Sequence, residues 1–219
     1  MIQWVYEAAV ASGITNTILV ATPDPEIVDA CKAFGAEAIL TRLDHPSGTD
    51  RIAEVAEKVP VDLYVNVQGD EPLMKPESIR ECALPLLQDS NIQMGSIYSY
   101  AHGDEIHNPA VVKVVMDLNG YALYFSRHTI PYERNRGTDL PRKHIGIYAY
   151  RRETLMTFSK WEPTYLEVTE GLEQLRFLEH GVKILMSKGF ESEMAVDTPE
   201  QADHVRGVLT RRAERAAEA

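Results

Sequence analysis

The sequence predicts an α/β protein built as a single domain over residues 1–219, with a mainly parallel sheet. Two patterns carry that expectation. Short apolar runs bounded by Gly, Pro, Asn or Asp alternate with amphipathic stretches through the first part of the chain, as βαβ units do. Strand-like runs around an Asn-Gly dipeptide then read as a β-hairpin inserted in the same domain. With 219 residues, 44% of them hydrophobic, the chain can bury a core that needs no disulfides or metal staples.

The chain opens on a helix. Ile2, Val5, Tyr6, Ala9 and Val10 recur at helical spacing, and Gly13 is placed to cap them. Residues 16–22 (NTILVAT) read as a buried strand. Residues 24–35 read as a helix with Asp24 as N-cap, Pro25 in the first turn and Gly35 as stop. EAILT is a short strand. A helix starts after Ser47 or Thr49 and runs to residue 59, and residues 62–67 (DLYVNV) are the next strand. Residues 75–88 form a helix with Pro76 near its first turn and Pro85 distorting its end. IQMGSIYSYA, VVKVVMD and YALYFSR are strands, the last two joined through Leu118-Asn119-Gly120. The polar stretch YERNRGTDLPRK is a long loop, and residues 143–151 (KHIGIYAYR) are another strand. YLEVTEGLEQLRFLEHG reads as one helix ending at Gly181, VKILMSKG as a strand, and a last helix begins near residue 199.

Composition excludes some partners. A net charge of −11 argues against a nonspecific hold on nucleic acid or an anionic membrane. No apolar run reaches membrane-spanning length, and no signal peptide is present. Cys31 and Cys82 stand alone, with no CxxC spacing, which fits a reducing cytoplasm.

Four constellations carry polar chemistry. Gln68-Gly69-Asp70-Glu71-Pro72 ends a core strand. It reads either as a polar loop or as a metal site at the strand's carboxyl end, where Mg²⁺ takes oxygen ligands. In VDTPEQAD, Thr198, Pro199 and Gln201 form a capping box. Asp197 precedes that box and is unexplained by it, which makes it a candidate second carboxylate. TRLDHPSGTDR places Arg42, His45, Ser47, Thr49 and Arg51 around a helix start. That suits either phosphate and polar ring edges or simple capping with surface arginines. Arg127, His144, Tyr148, Glu173 and Gln174 are spread along the chain. Together they would line a pocket for a hydroxylated acid, and singly each has an ordinary structural reading. Glu173 and Gln174 are adjacent, so on one regular helix they point about 100° apart.

The strings TRxDHxSGTDR, VNVQGDEP, NPxxVKVVxDxxGYALYFSRxxIP, HIGIYAYR, LExxExLEQLRxLxxG and VDTPE occur in order along nearly the whole chain. Their combination resembles the 3-deoxy-manno-octulosonate (Kdo) cytidylyltransferases. The resemblance implies a Rossmann-like nucleotidyltransferase fold whose hairpin serves a homodimer interface. It implies Mg²⁺-dependent transfer of CMP from CTP to Kdo, releasing pyrophosphate, for lipopolysaccharide synthesis. Asp70 and Asp197 would be the metal ligands, with Glu71 shaping the turn. Gln68 would lie against the nucleotide, and Arg42 and Ser47 near cytosine and ribose. Arg127, His144, Tyr148, Glu173 and Gln174 would hold the sugar acid, and Asp70, Asp197 and Arg127 would be the catalytic set.

One departure stands out. The family's opening strand and its loop rich in Arg, Ser, Gly and Lys, which cradles the triphosphate, have no counterpart in these residues. A start codon placed at an internal methionine, or a truncated sequence, is the expected cause. A chain without them is expected to fold poorly and to lose CTP turnover. Two other readings stand beside the leading one. One is a cytidylyltransferase for 8-amino-Kdo or an acylneuraminate; the other is a non-catalytic subunit of the same fold.

Overall fold

Local rules place the first elements where the sequence put them. The computed structural model describes residues 1–135, 140–190, 195–196 and 198–217, with side chains as far as Arg211. Helix α1 (Ile2–Ser12) ends at Gly13, whose left-handed backbone, φ 62°, lets its N–H bond Val10 O. Strand β1 (Leu19–Thr22) starts later than expected. It is followed by α2 (Pro25–Ala33) and β2 (Glu37–Leu40), and β1 and β2 pair in parallel. Asp24 occupies the N-cap of α2 but makes no side-chain cap bond. Val20, Cys31 and Ala36 pack with Tyr6, Ile27 and Phe34 into a small core of their own.

Helix α3 (Gly48–Lys58) starts where Ser47 accepts the N–H of Asp50. Strand β3 (Leu63–Val67) and α4 (Pro76–Gln88) follow. Pro85 costs α4 one donor but does not end it, since the Asp89 N–H still bonds Pro85 O at 3.0 Å. Then come β4 (Met94–Tyr100), a 3-10 turn (Gly103–Ile106), β5 (Lys113–Met116), β6 (Ala122–Ser126) and β7 (Arg142–Arg151). The β5–β6 turn has Gly120 at φ 85°, as Asn-Gly predicted. The long loop expected over YERNRGTDLPRK extends partly outside the described residues.

Past β7 the sequence reading needs correction. Helix α5 (Arg152–Phe158) was not anticipated; seven residues are too few to declare a period. The single helix expected over YLEVTEGLEQLRFLEHG is two, α6 (Tyr165–Glu170) and α7 (Gln174–Glu179). Gly171, at φ 63°, caps α6 in the left-handed region and turns the chain. Glu173 and Gln174 therefore straddle the start of α7 instead of sitting mid-helix. Strand β8 (Ile184–Lys188) and α8 (Pro199–Ala217) complete the order. The capping box at Thr198 is formed, with its N–H bonding Gln201 Oε1 and the Gln201 N–H bonding Thr198 Oγ1.

The α/β class holds, with two sheets: β1–β2 is parallel, and the larger sheet is mixed, its described ladders antiparallel except β4–β8. Strands β6-β5-β7-β4-β8 form the larger, and β3 also pairs with β7. Strands β3, β4 and β8 share one direction, and β7 runs against them between β3 and β4. β7 is the hub, pairing with β4 along one edge and with β5 and then β3 along the other. The main core forms where Tyr148, Tyr150 and Phe125 meet Leu155, Phe158, Leu175 and Phe177. Arg176, 2% exposed, is paired there with Glu167, lies 3.9 Å from Asp50 and stacks 4.1 Å over Phe158. It ties α7 to α6, α3 and α5 by charge in a region that apolar packing has dried.

Candidate active site

The break between α6 and α7 gathers side chains from three distant parts of the chain. Arg127, just past β6, donates through Nε to Glu170 O at 2.7 Å and through Nη2 to Gly171 O at 3.2 Å. Its Nη1 reaches Pro109 O at 3.1 Å. A cation at the carboxyl end of α6 is favoured by the unpaired carbonyls there. Three of its five N–H donors are thus engaged, and two remain for a ligand. Tyr148 of β7 donates its hydroxyl to Gln174 Oε1 at 3.2 Å. Glu173 accepts the Thr49 hydroxyl at 2.9 Å and the Thr49 N–H at 3.3 Å. Burial raises the Glu173 carboxyl above its ordinary range, against the lowering pull of those bonds from Thr49.

His144 lies beside this cluster. Its ring meets Tyr148 at 5.4 Å and Phe125 edge-on at 5.0 Å. The Ser96 hydroxyl donates to Ile147 O, so it accepts from His144 Nε2, 2.9 Å away. That leaves Nδ1 as an acceptor in the neutral ring. Burial drives the His144 pKa down to about 3. The structure thus brings Arg127, His144, Tyr148, Glu173 and Gln174 into one neighbourhood.

Three of the four other described candidates lie around the start of α3. Ser47 caps the helix and also donates to Asp50 Oδ2 at 2.6 Å. Gln68, leaving β3, packs under Gly48; a Cβ there would stand 3.5 Å from its amide atoms. Arg42 has a side chain 68% exposed, 3.8 Å from both Asp44 and Glu54. Glu54 is held down to about 2 by Lys58 first, then by the Arg42 N–H and His45. Thr49 joins the two groups, because it sits two residues from Ser47 and bonds Glu173.

Asp70 is half-buried in the turn after β3, and its carbonyl accepts the Val196 N–H at 2.8 Å. Leu73 packs against Val205 and Val208 of α8, fastening that turn to the last helix. Asp197 lies outside the described residues. Among the described residues no group of three or more His, Cys, Asp or Glu forms a metal cluster.

Sequence reasoning missed two residues of this site, and it read Thr49 only at its helix start, not as the link to Glu173. Glu170 accepts the Arg127 N–H at 2.9 Å and the Ser126 hydroxyl at 2.7 Å. Lys113, fully buried, donates to Asn108 O, Val111 O and Arg127 O at 2.6–2.9 Å and so holds the Arg127 backbone. A lysine inside the apolar run VVKVVM was the available signal, because a charge is buried only where acceptors wait for it.

Comparison with known proteins identifies the family. A family model described as cytidylyltransferase matches residues 1–184. The 3-deoxy-manno-octulosonate cytidylyltransferase of Photobacterium profundum is 46% identical over 221 residues, covering 95% of this chain and 88% of that relative. The protein of the same name in Pseudomonas fluorescens is 48% identical over 223 residues, covering 95% and 87%. A solved CMP:2-keto-3-deoxy-manno-octonic acid synthetase complexed with CTP superposes with a TM-score of 0.93 at 39% identity, covering 96% of this chain and 88% of that one. The 4-diphosphocytidyl-2C-methyl-D-erythritol synthase of Anaerococcus prevotii shares the fold at a TM-score of 0.62 and 12% identity.

Proposed function

The chain belongs to the cytidylyltransferase family, and from that premise we propose that it transfers CMP from CTP to the 2-hydroxyl of Kdo. The products are CMP-Kdo, for lipopolysaccharide synthesis, and pyrophosphate. One observation carries the sugar assignment. Arg127, His144, Tyr148, Glu173 and Gln174 converge at one helix break, in a chain 46% and 48% identical to enzymes named for that sugar.

The chemistry suits the groups present. The incoming sugar acid and the triphosphate are both anions, so positioning and charge neutralisation do most of the work. The two uncommitted N–H groups of Arg127 suit the sugar carboxylate. Tyr148, Glu173 and Gln174 offer donors and acceptors to its hydroxyls. Arg42, Ser47 and Gln68 would lie along cytosine and ribose. Asp70 and Asp197 would hold Mg²⁺, which when bound supplies positive charge at the phosphates. Support for that pair comes from the Val196–Asp70 backbone bond, one residue before Asp197. Exposed apolar side chains on the β5–β6 hairpin, Leu118 and Leu123, and on α6, Tyr165 and Val168, support a homodimer. The described helices include none long and apolar enough to cross a membrane, and both cysteines are buried free thiols. We place the reaction in the cytoplasm on that basis.

The test is pyrophosphate release with Mg²⁺, Kdo and each of the four nucleoside triphosphates, run beside calorimetry of Kdo alone. Release with CTP and not with the others is expected. Kdo binding with no release under any triphosphate moves the chain to the non-catalytic reading. Neither binding nor release rejects the Kdo assignment.

A further inference from the structure

Strand β3 has two unlike faces. Leu63, Val65 and Val67 pack on the α4 side with Ile79, Cys82 and Leu86. Tyr64 and Asn66 alternate onto the opposite face. Tyr64 is fully served there, donating to Val59 O at 2.9 Å and accepting the Val61 N–H at 3.0 Å. Asn66 is not. It is 6% exposed, and its Nδ2 has no hydrogen-bond partner among the described residues.

Its surroundings give that amide a direction. The register partner of Asn66 on β7 is Tyr148, whose hydroxyl is spent on Gln174. Gln174 is 2% exposed, and its Nε2 likewise lacks a partner among the described residues. One buried tyrosine is thus flanked by two buried, unserved amide donors. Above Asn66 the chain places Gly48, and a Cβ there would come 3.7 Å from Nδ2. Asn66, Gln68 and Gly48 are among the residues lining a cavity of about 500 Å³ that β1 and β3 also line. Nearly all buried polar groups in folded proteins are paired. A pleated strand in this core would be served better by Val or Ile at position 66. The asparagine is accounted for once a ligand oxygen meets it.

We propose that Asn66 is a further substrate-binding residue, donating Nδ2–H to an oxygen of the sugar acid beside Tyr148. The proposal rests on the Kdo reading above. The sugar is preferred over the nucleotide because the register partner of Asn66 is Tyr148, which bonds Gln174 of the sugar cluster.

The experiment is calorimetry of Kdo and, separately, of CTP, with thermal melts of each ligand-free protein. It compares wild type with Asn66→Leu, which keeps the branching at Cγ, is larger and has no donor, and Asn66→Ser, which keeps a donor. Asn66→Leu is expected to weaken Kdo about tenfold while its Tm stays level or rises. Asn66→Ser is expected to stay within about threefold of wild type. An unchanged Kdo affinity in Asn66→Leu overturns the proposal, and so does a Tm that falls in step with affinity. A loss confined to CTP assigns the amide to the nucleotide and also overturns it. If Asn66→Leu does not fold, Asn66→Ser decides: a Kdo loss beyond threefold with its Tm lowered in parallel marks a structural role and overturns the proposal. Failure of wild type to bind Kdo rejects the Kdo reading itself, and this proposal falls with it. Failure of the variants to differ rejects this proposal alone.

Discussion

Gln174 and Arg42 are both expected to touch substrate, and the fold treats them in opposite ways. Gln174 is 2% exposed and bonded to Tyr148. The Arg42 side chain is 68% exposed and rests at 3.8 Å from two carboxylates. The same contrast separates the groups around them. Glu173, Tyr148 and His144 are locked by Thr49, Gln174 and Ser96, whereas the Arg42 guanidinium rests on two charge contacts at 3.8 Å. On the sugar side, desolvation and side-chain ordering are met during folding, before any ligand arrives. On the nucleotide side they are met on binding. The buried half should therefore be selective and sensitive to single changes, and the exposed half tolerant.

The largest effect is expected at the turn after β3. Asp70→Asn should lower CTP-dependent pyrophosphate release by at least about 10²- to 10³-fold, the scale for losing a charge-stabilising group. Kdo binding measured without metal should be unchanged, and normal release would remove Asp70 from the metal site. Next, Gln174→Leu should weaken Kdo by about ten- to thirtyfold in calorimetry and leave CTP within about twofold. Equal losses for both ligands would break the division into halves.

Acid should act through the buried half. The folded pKa of His144 is about 3, and an unfolded histidine titrates near 6.5. Between those values the unfolded chain holds the extra proton, so this contribution is complete above 6.5 and shrinks as pH falls. Urea unfolding at pH 7 and pH 5 should show wild type losing about 2 kcal/mol more than His144→Gln. An equal loss in both proteins would mean that His144 is solvated.

Smaller effects close the series. Gly171→Ala places a Cβ at a left-handed residue, which should cost about 1 kcal/mol of stability. It should also weaken Kdo through the displaced Arg127, whose Nη2 bonds Gly171 O. A melt shifted by a few degrees with Kdo affinity intact would remove the break from the site. Arg42→Ala should change CTP affinity by about threefold or less, because an exposed pair contributes little. A larger loss would show that Arg42 is ordered by the nucleotide.

Legibility followed the range of the forces. Gly13, Ser47, Asn119-Gly120 and the Thr198 box were readable because each acts within a turn of its own position. His144 and Tyr148 were also readable as neighbours, since alternation along β7 puts both on one face. Glu173 and Gln174 were read on one regular helix, whereas they straddle the start of a second one. The residues around Gly171 keep a helical pattern, and only its φ of 63° divides them. Glu170, Lys113 and Asn66 went unread, and Thr49 was read only at its helix start, since each acquires its meaning from a partner far along the chain or from lacking one.

The sequence by itself determined the order and type of most elements, the helix caps, the hairpin turn and membership of the family. Those depend on dihedral preferences and short-range hydrogen bonds that any window of a few residues carries. The tertiary structure decided which of the scattered polar residues meet. It set β7 between three strands, broke the helix at Gly171 over Arg127, and buried Arg176 between Glu167 and Asp50. Such choices turn on desolvation, which has no value for a residue until the rest of the chain has closed over it.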